Sequence, residues 1–114
     1  MPINNKTYKP ILNLTLKANE DVPAFRLVDF NGNKCGNNIK ALGTTDIDYT
    51  NGDEMSVIAL GTATVETLGA ITKGTDVASA ADGKARTATP GEQIVGRALD
   101  TCTGADFIRI LLVP

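Results

Sequence analysis

The sequence predicts an all-β fold, and three observations carry that prediction. From Met55 to Pro114 short runs of β-forming residues alternate with Gly, Asp-Gly and Pro-Gly turns. Ile11-Leu-Asn-Leu-Thr-Leu-Lys17 sets Leu12, Leu14 and Leu16 on one face and Asn13, Thr15 and Lys17 on the other, the alternation of a half-buried strand. The closing run Phe107–Val113 is apolar enough for a central strand.

Taken in order, Met1–Pro10 is polar, carries two prolines and has no periodicity, so an extended arm is expected over 1–10 and one mainly β domain over 11–114. Ala24–Val28 is the second predicted strand, and Asn31-Gly32 after it signals a type I′ hairpin. Met55–Leu60 and Thr62–Leu68 read as strands meeting at Gly61, a bulge or tight bend. Thr75–Ala78 and Lys84–Ala88 flank Asp82-Gly83 as a hairpin, and Ile94–Asp100 follows the Pro90-Gly91 turn. The two halves echo each other. Phe25–Lys34 parallels Thr75–Lys84, Ile39–Leu42 parallels Val95–Leu99, and Gly52–Ile58 parallels Gly104–Ile110. An internal duplication of this kind favours a small closed β-barrel or β-sandwich in which each half covers the other's edges.

Composition narrows the chemistry. The chain has 114 residues, 42% hydrophobic and 4% aromatic with no Trp, so its core is built from Val, Ile, Leu and Ala. A thin core of this kind suits a domain stabilised by association. The net charge is −2 and the eleven basic residues form no block, which argues against nucleic acid. With no His, the Ser-His-Asp and Cys-His arrangements and His-based metal sites are absent, and no enzyme, cofactor or metal is expected. Met1–Asn5 lacks a basic stretch leading into an apolar one, so no signal peptide is expected. No apolar run nears a membrane span. Cys35 and Cys102 are expected to be reduced.

Candidate loops fail on inspection. Asp29-Phe-Asn31-Gly-Asn33-Lys34 has alternating oxygen donors, but Lys34 stands where a calcium loop turns on Gly and Lys40 where a bidentate Glu closes it. Asp46, Asp48, Asp53 and Glu54 are expected in a solvated or lattice-facing loop. Gly83-Lys84-Ala85 is no phosphate loop, since Ala85 lacks the hydroxyl. Arg97 lies mid-strand, facing either solvent or a carboxylate such as Asp100 or Asp106 of a neighbouring subunit, and Arg109 poses the same choice.

The order of parts Ala70-Ile-Thr-Lys-Gly-Thr-Asp-Val77, Ala81-Asp-Gly-Lys-Ala85, Val95-Gly-Arg-Ala-Leu99 and a hydrophobic strand to the end resembles the small capsid cement, or head-decoration, proteins of tailed bacteriophages. The resemblance spans Leu14 to the end. It implies a barrel or sandwich of β-tulip or β-clip type, and a trimer seated outside an expanded head, made in the host cytoplasm and bridging capsomers of the major capsid protein. Capsid contacts are then expected on the arm, at Ile3, Asn4, Asn5, Lys6, Thr7, Tyr8 and Lys9. Subunit contacts are expected on strand edges at Val95, Arg97 and Leu99. Thr44–Tyr49 and the Cys102 turn do not match the family pattern. Two rival readings are a soluble β-clip-like ligand-binding module, suggested by Ile71–Val77, and a tail or fibre subunit.

Overall fold

The computed structural model describes residues 8–113. Its strands are β1 (Pro10–Lys17), β2 (Leu27–Val28), β3 (Gly43–Thr44), β4 (Glu54–Glu66), β5 (Asp76–Ser79), β6 (Ala85–Thr87), β7 (Gly96–Ala98) and β8 (Phe107–Leu112), with one 3-10 turn at Ala81–Gly83. Every pairing between these strands is antiparallel. They form an eight-stranded sheet in the order β2-β3-β4-β8-β7-β5-β6, with β1 beside β4. The sheet curls into a nearly closed barrel shape.

β4 is the spine. Its first half holds β1 and β3, and its second half holds β8. The two expected strands around Gly61 are one strand that bends there, with Gly61 at φ +102. An added Cβ at Gly61 would lie 2.4 Å from the Lys9 carbonyl, so only glycine lets β1 and β4 approach. The long strand therefore joins two lobes. In the second, β4, β8, β7, β5 and β6 run side by side, and a bridge from Ala85 to Thr67 brings the ring back to the end of β4. In the first, β1, β4, β3 and β2 curl the same way, and the Asn19 amide bonds the Gly32 carbonyl.

The lobes repeat one backbone pattern. The bridge Val22 to Tyr49 has its counterpart in Ile71 to Cys102, and Val28 to Lys34 in Val77 to Thr87. The amide of Ala18 bonds Asp53 as Thr67 bonds Asp106, Leu42 bonds Val28 as Val95 bonds Val77, and Cys35 bonds Leu27 as Ala88 bonds Asp76. Positive φ recurs at matched places, Phe25 with Gly74 and Asn38 with Gly91. Gly43 and Gly96 match too: an added Cβ would lie 2.0 Å from the Ile58 carbonyl at one and 2.7 Å from the Leu111 carbonyl at the other. The offset is constant up to Val28 and constant again from Lys34. It changes between because the hairpin Asp29–Asn33 is replaced by the longer Ala78–Arg86. The duplication read from the sequence is thus present in the backbone, with its register corrected: Phe25 matches Gly74 rather than Thr75, Leu42 matches Val95 rather than Leu99, and Ile58 matches Leu111 rather than Ile110.

The cores repeat as well. Val22, Val28, Met55 and Val57 fill the first lobe, and their counterparts Ile71, Val77, Ile108 and Ile110 fill the second. The second core is larger because Leu27, Cys35, Ala41 and Ile58 of the first lobe pack into it.

Three strand expectations change. β1 forms as expected but is not half-buried: Leu12 is 44% and Leu14 38% exposed, and among the three leucines only Leu16 packs on the core. β1 pairs with β4 alone, and register shifts on either side of Leu12 break the alternation. Only Leu27 and Val28 of the expected Ala24–Val28 strand pair, because Phe25 takes φ +64. The Asn31-Gly32 turn is not type I′, which needs positive φ at both residues; Gly32 alone has it, and Asp29 Oδ1 instead ties the loop by accepting the Asn31 and Asn33 amides. Asp82-Gly83 does have positive φ at both positions, as an Asp-Gly turn should.

Candidate functional site

The sequence-predicted contact residues fall into two groups. Of the arm, Ile3, Asn4, Asn5, Lys6 and Thr7 lie outside the described residues, and Tyr8 and Lys9 belong to the body. Tyr8 packs against the second core. Burial and the nearby Asp46 charge push its phenol pKa up. Lys9 continues the β1–β4 ladder, its amide donating to Thr62 Oγ1 and its carbonyl accepting from the Thr62 amide.

Val95, Arg97 and Leu99 were expected on a free strand edge, and the structure does not provide one there. β7 is flanked by β5 and β8, so its backbone is paired on both sides. Val95 is buried at 2%, while Arg97 is exposed and Leu99 half-buried. Within the chain, Arg97 is exposed and meets Asp76 at 3.1 Å, and Arg109 meets Asp100 at 2.9 Å.

The other polar clusters also serve the backbone. Asp48 Oδ1 accepts the Ala24 amide, and Asp53 Oδ2 accepts from the Thr50 amide and hydroxyl, which hold its carboxyl below the usual range. Among the described residues, no group of three or more His, Cys, Asp or Glu is placed to hold a metal ion. Cys35 and Cys102 are both free and buried, and burial with the Asp29 charge pushes the Cys35 thiol up to about 12.

What the sequence reading missed is an apolar surface. Leu12, Phe30 and Leu60 are exposed, at 44%, 62% and 37%. With Lys40, Leu42, Ala59 and Val113 they line an open groove that runs from the first lobe to the residue after β8. On the second lobe Leu111 is 45% exposed. Beside it lies a shallow depression lined by Gly74, Asp76, Ala88, Thr89, Gly91 and Arg97. The one sequence signal for the groove was Phe30, a large aromatic at a turn tip, where nothing in the chain's own core can cover it.

A surface of this kind on a small barrel fits a protein that works by contact. A sequence profile described as phage cement protein matches residues 6–112. The chain belongs to the phage cement protein family. It is thereby a bacteriophage virion structural protein of the capsid-decoration kind. Among solved structures, the base of the bacteriophage phi29 head fibre, described as head fiber gp8.5 N base, shares the fold. The TM-score is 0.76 at 17% identity, over 90% of this chain and 93% of that one. No curated protein sequence matches significantly. The cement-family assignment made from the Ile71–Val77, Asp82-Gly83 and Val95–Leu99 order is therefore correct. In this cement protein those segments are the lead into β5, the β5–β6 turn and the strand β7.

Proposed function

We propose that this protein binds the outer surface of the expanded phage head as a homo-oligomer, a trimer, and stabilises the head by bridging capsomers of the major capsid protein. The observation that carries the reading is the family match along nearly the whole chain. The mechanism is linkage: a protein that binds the mature lattice and not its dissociated subunits stabilises the lattice by its own binding free energy, repeated at every site. The arm residues Ile3–Thr7 supply the capsid contact, as an extended segment added to an edge of the capsid protein. Tyr8 and Lys9, locked to the body, fix where that arm starts. The chain is one domain, made in the host cytoplasm and carried on the outside of the virion, and it acts without catalysis.

Quantitative mass spectrometry of purified particles tests this. A ratio of this chain to the major capsid protein near one to one is expected, together with loss of heat resistance when the chain is stripped from heads. Absence from particles would sink the proposal. A second reading, the base of a head-attached fibre, draws on the fold shared with the phi29 protein. It predicts a copy number well below that of the capsid protein.

A further inference from the structure

We propose that copies of this chain join head to tail, by repeating between molecules the lobe-to-lobe contact that each chain already makes within itself. The inference deepens the self-association proposed above and rests on it.

The internal contact uses two different faces. From the first lobe, the Phe25 and Cys35 carbonyls accept the Glu66 and Gly83 amides at 2.9 and 2.8 Å, and the Asn38 amide donates to the Ser79 carbonyl at 3.0 Å. Lys40 Nζ crosses to the second lobe, donating to the carbonyls of Ile94 at 2.6 Å and Val113 at 2.8 Å. Ile58 of the first lobe packs among the second lobe's core side chains. The first lobe thus offers one face and the second lobe receives it with another.

Because the lobes repeat, each also carries a counterpart of the face the other one uses. The counterparts of Phe25, Cys35, Asn38, Lys40 and Ile58 on the second lobe are Gly74, Ala88, Gly91, Gln93 and Leu111. They surround or adjoin the depression beside Leu111, and Leu111 is 45% exposed where Ile58 is fully buried. The counterparts of the receiving face, on the first lobe, are the hairpin carrying Phe30 and the backbone at Ala41 and Leu60. These line the open apolar groove. Each chain therefore has two unfilled faces, one on each lobe, and the complement of each is the other.

The correspondence assigns contacts. Inside the chain the tip of the second hairpin enters at Cys35, through the Gly83 amide. Between chains the shorter hairpin of one copy, with Phe30 at its tip, enters the depression of the next at Ala88. Gln93 takes the place of Lys40 and donates to the carbonyls of Ala41 and Leu60. Leu111 takes the place of Ile58 and covers the leucines of β1 that Lys17 borders. A contact between unlike faces is heterologous, and when its rotation closes it gives a ring. Three chains in such a ring would present six lobes.

The test is complementation. Phe30→Asp spoils one face and Leu111→Glu the other; both side chains are exposed, so the folded chain tolerates the changes, which circular dichroism checks. By sedimentation the wild type is expected to be a closed oligomer, and each variant to associate more than about tenfold more weakly, as for loss of a contact anchor. An equal mixture of the two variants should recover a dimer and nothing larger, because one intact junction remains. A wild type that is monomeric both free and on isolated heads overturns the inference, as does an oligomer indifferent to both variants or a mixture that recovers nothing. Heads decorated by monomers remove this inference and leave the decoration role standing. Rings that never bind heads do the reverse.

Discussion

Lys40 is a charged side chain used as a rivet. Its ammonium lies between the Ile94 and Val113 carbonyls, and burial lowers its pKa. Lys40→Met keeps the apolar stem and leaves both carbonyls without that donor, so a loss of about 1–3 kcal/mol is expected. Urea unfolding of the two proteins measures it. Glu92 works differently. Its carboxylate takes both terminal nitrogens of Arg86 at 2.7 and 2.6 Å and the Thr89 amide at 2.7 Å, and these bonds hold its pKa down to about 2 from an ordinary 4.5. A depressed carboxyl contributes stability above the unfolded value, and that contribution is lost as pH falls through the folded one. Between pH 5 and pH 2 the wild type should therefore lose more melting temperature than Glu92→Gln. Parallel losses in the two melting series would remove the ion pair from the account of this loop.

At the scale of elements, the two glycines Gly43 and Gly96 mark the same place in the two lobes, where a short strand runs against the carbonyl of a longer one. Gly96→Ala would put a methyl 2.7 Å from the Leu111 carbonyl, so β7 must move away from β8. A cost above about 2 kcal/mol is expected, from overpacking against backbone that cannot yield. Gly69→Ala, which meets nothing within 4 Å and needs no positive φ, is the control and should stay within about half a kcal/mol in the same unfolding assay. The strands were legible in the sequence where alternation and turn residues agreed, as at Asp82-Gly83 and Phe107–Leu112. The repeat was legible too, but its register was not, because few side chains are shared and the hairpin lengths differ. The exposure of β1 and the burial of Val95 were hidden for a common reason. Whether a strand lies at an edge depends on which strands flank it, and an apolar alternation looks the same in either place. Phe25 at positive φ was likewise unreadable, since its backbone is held by bonds to Thr45 and Glu66, far away in sequence.

At the scale of the molecule, β4 makes two lobes into one cooperative unit. Its first half contributes Met55 and Val57 to one core and its second half Ala63 and Val65 to the other, with no loop between them to let one lobe open alone. Ile58, on the first half, is already counted in the second core, and Arg26 of the first lobe meets Glu66 of β4 at 3.0 Å across the junction. Unfolding the first lobe would strip Leu27, Cys35 and Ile58 from the second lobe's core, leaving it with apolar area returned to water at about 25 cal/mol per Å². The chain should accordingly unfold in one two-state transition. Met55→Ala in the first lobe and Ile108→Ala in its matched position should each cost about 2–5 kcal/mol as buried large-to-small changes. Both should lower the same midpoint, with the slope in denaturant unchanged. If Met55→Ala instead produced a second, earlier transition, with the reactivity of Cys102 still protected through it, the lobes would be separate folding units. A shared spine would then be a matter of connection alone.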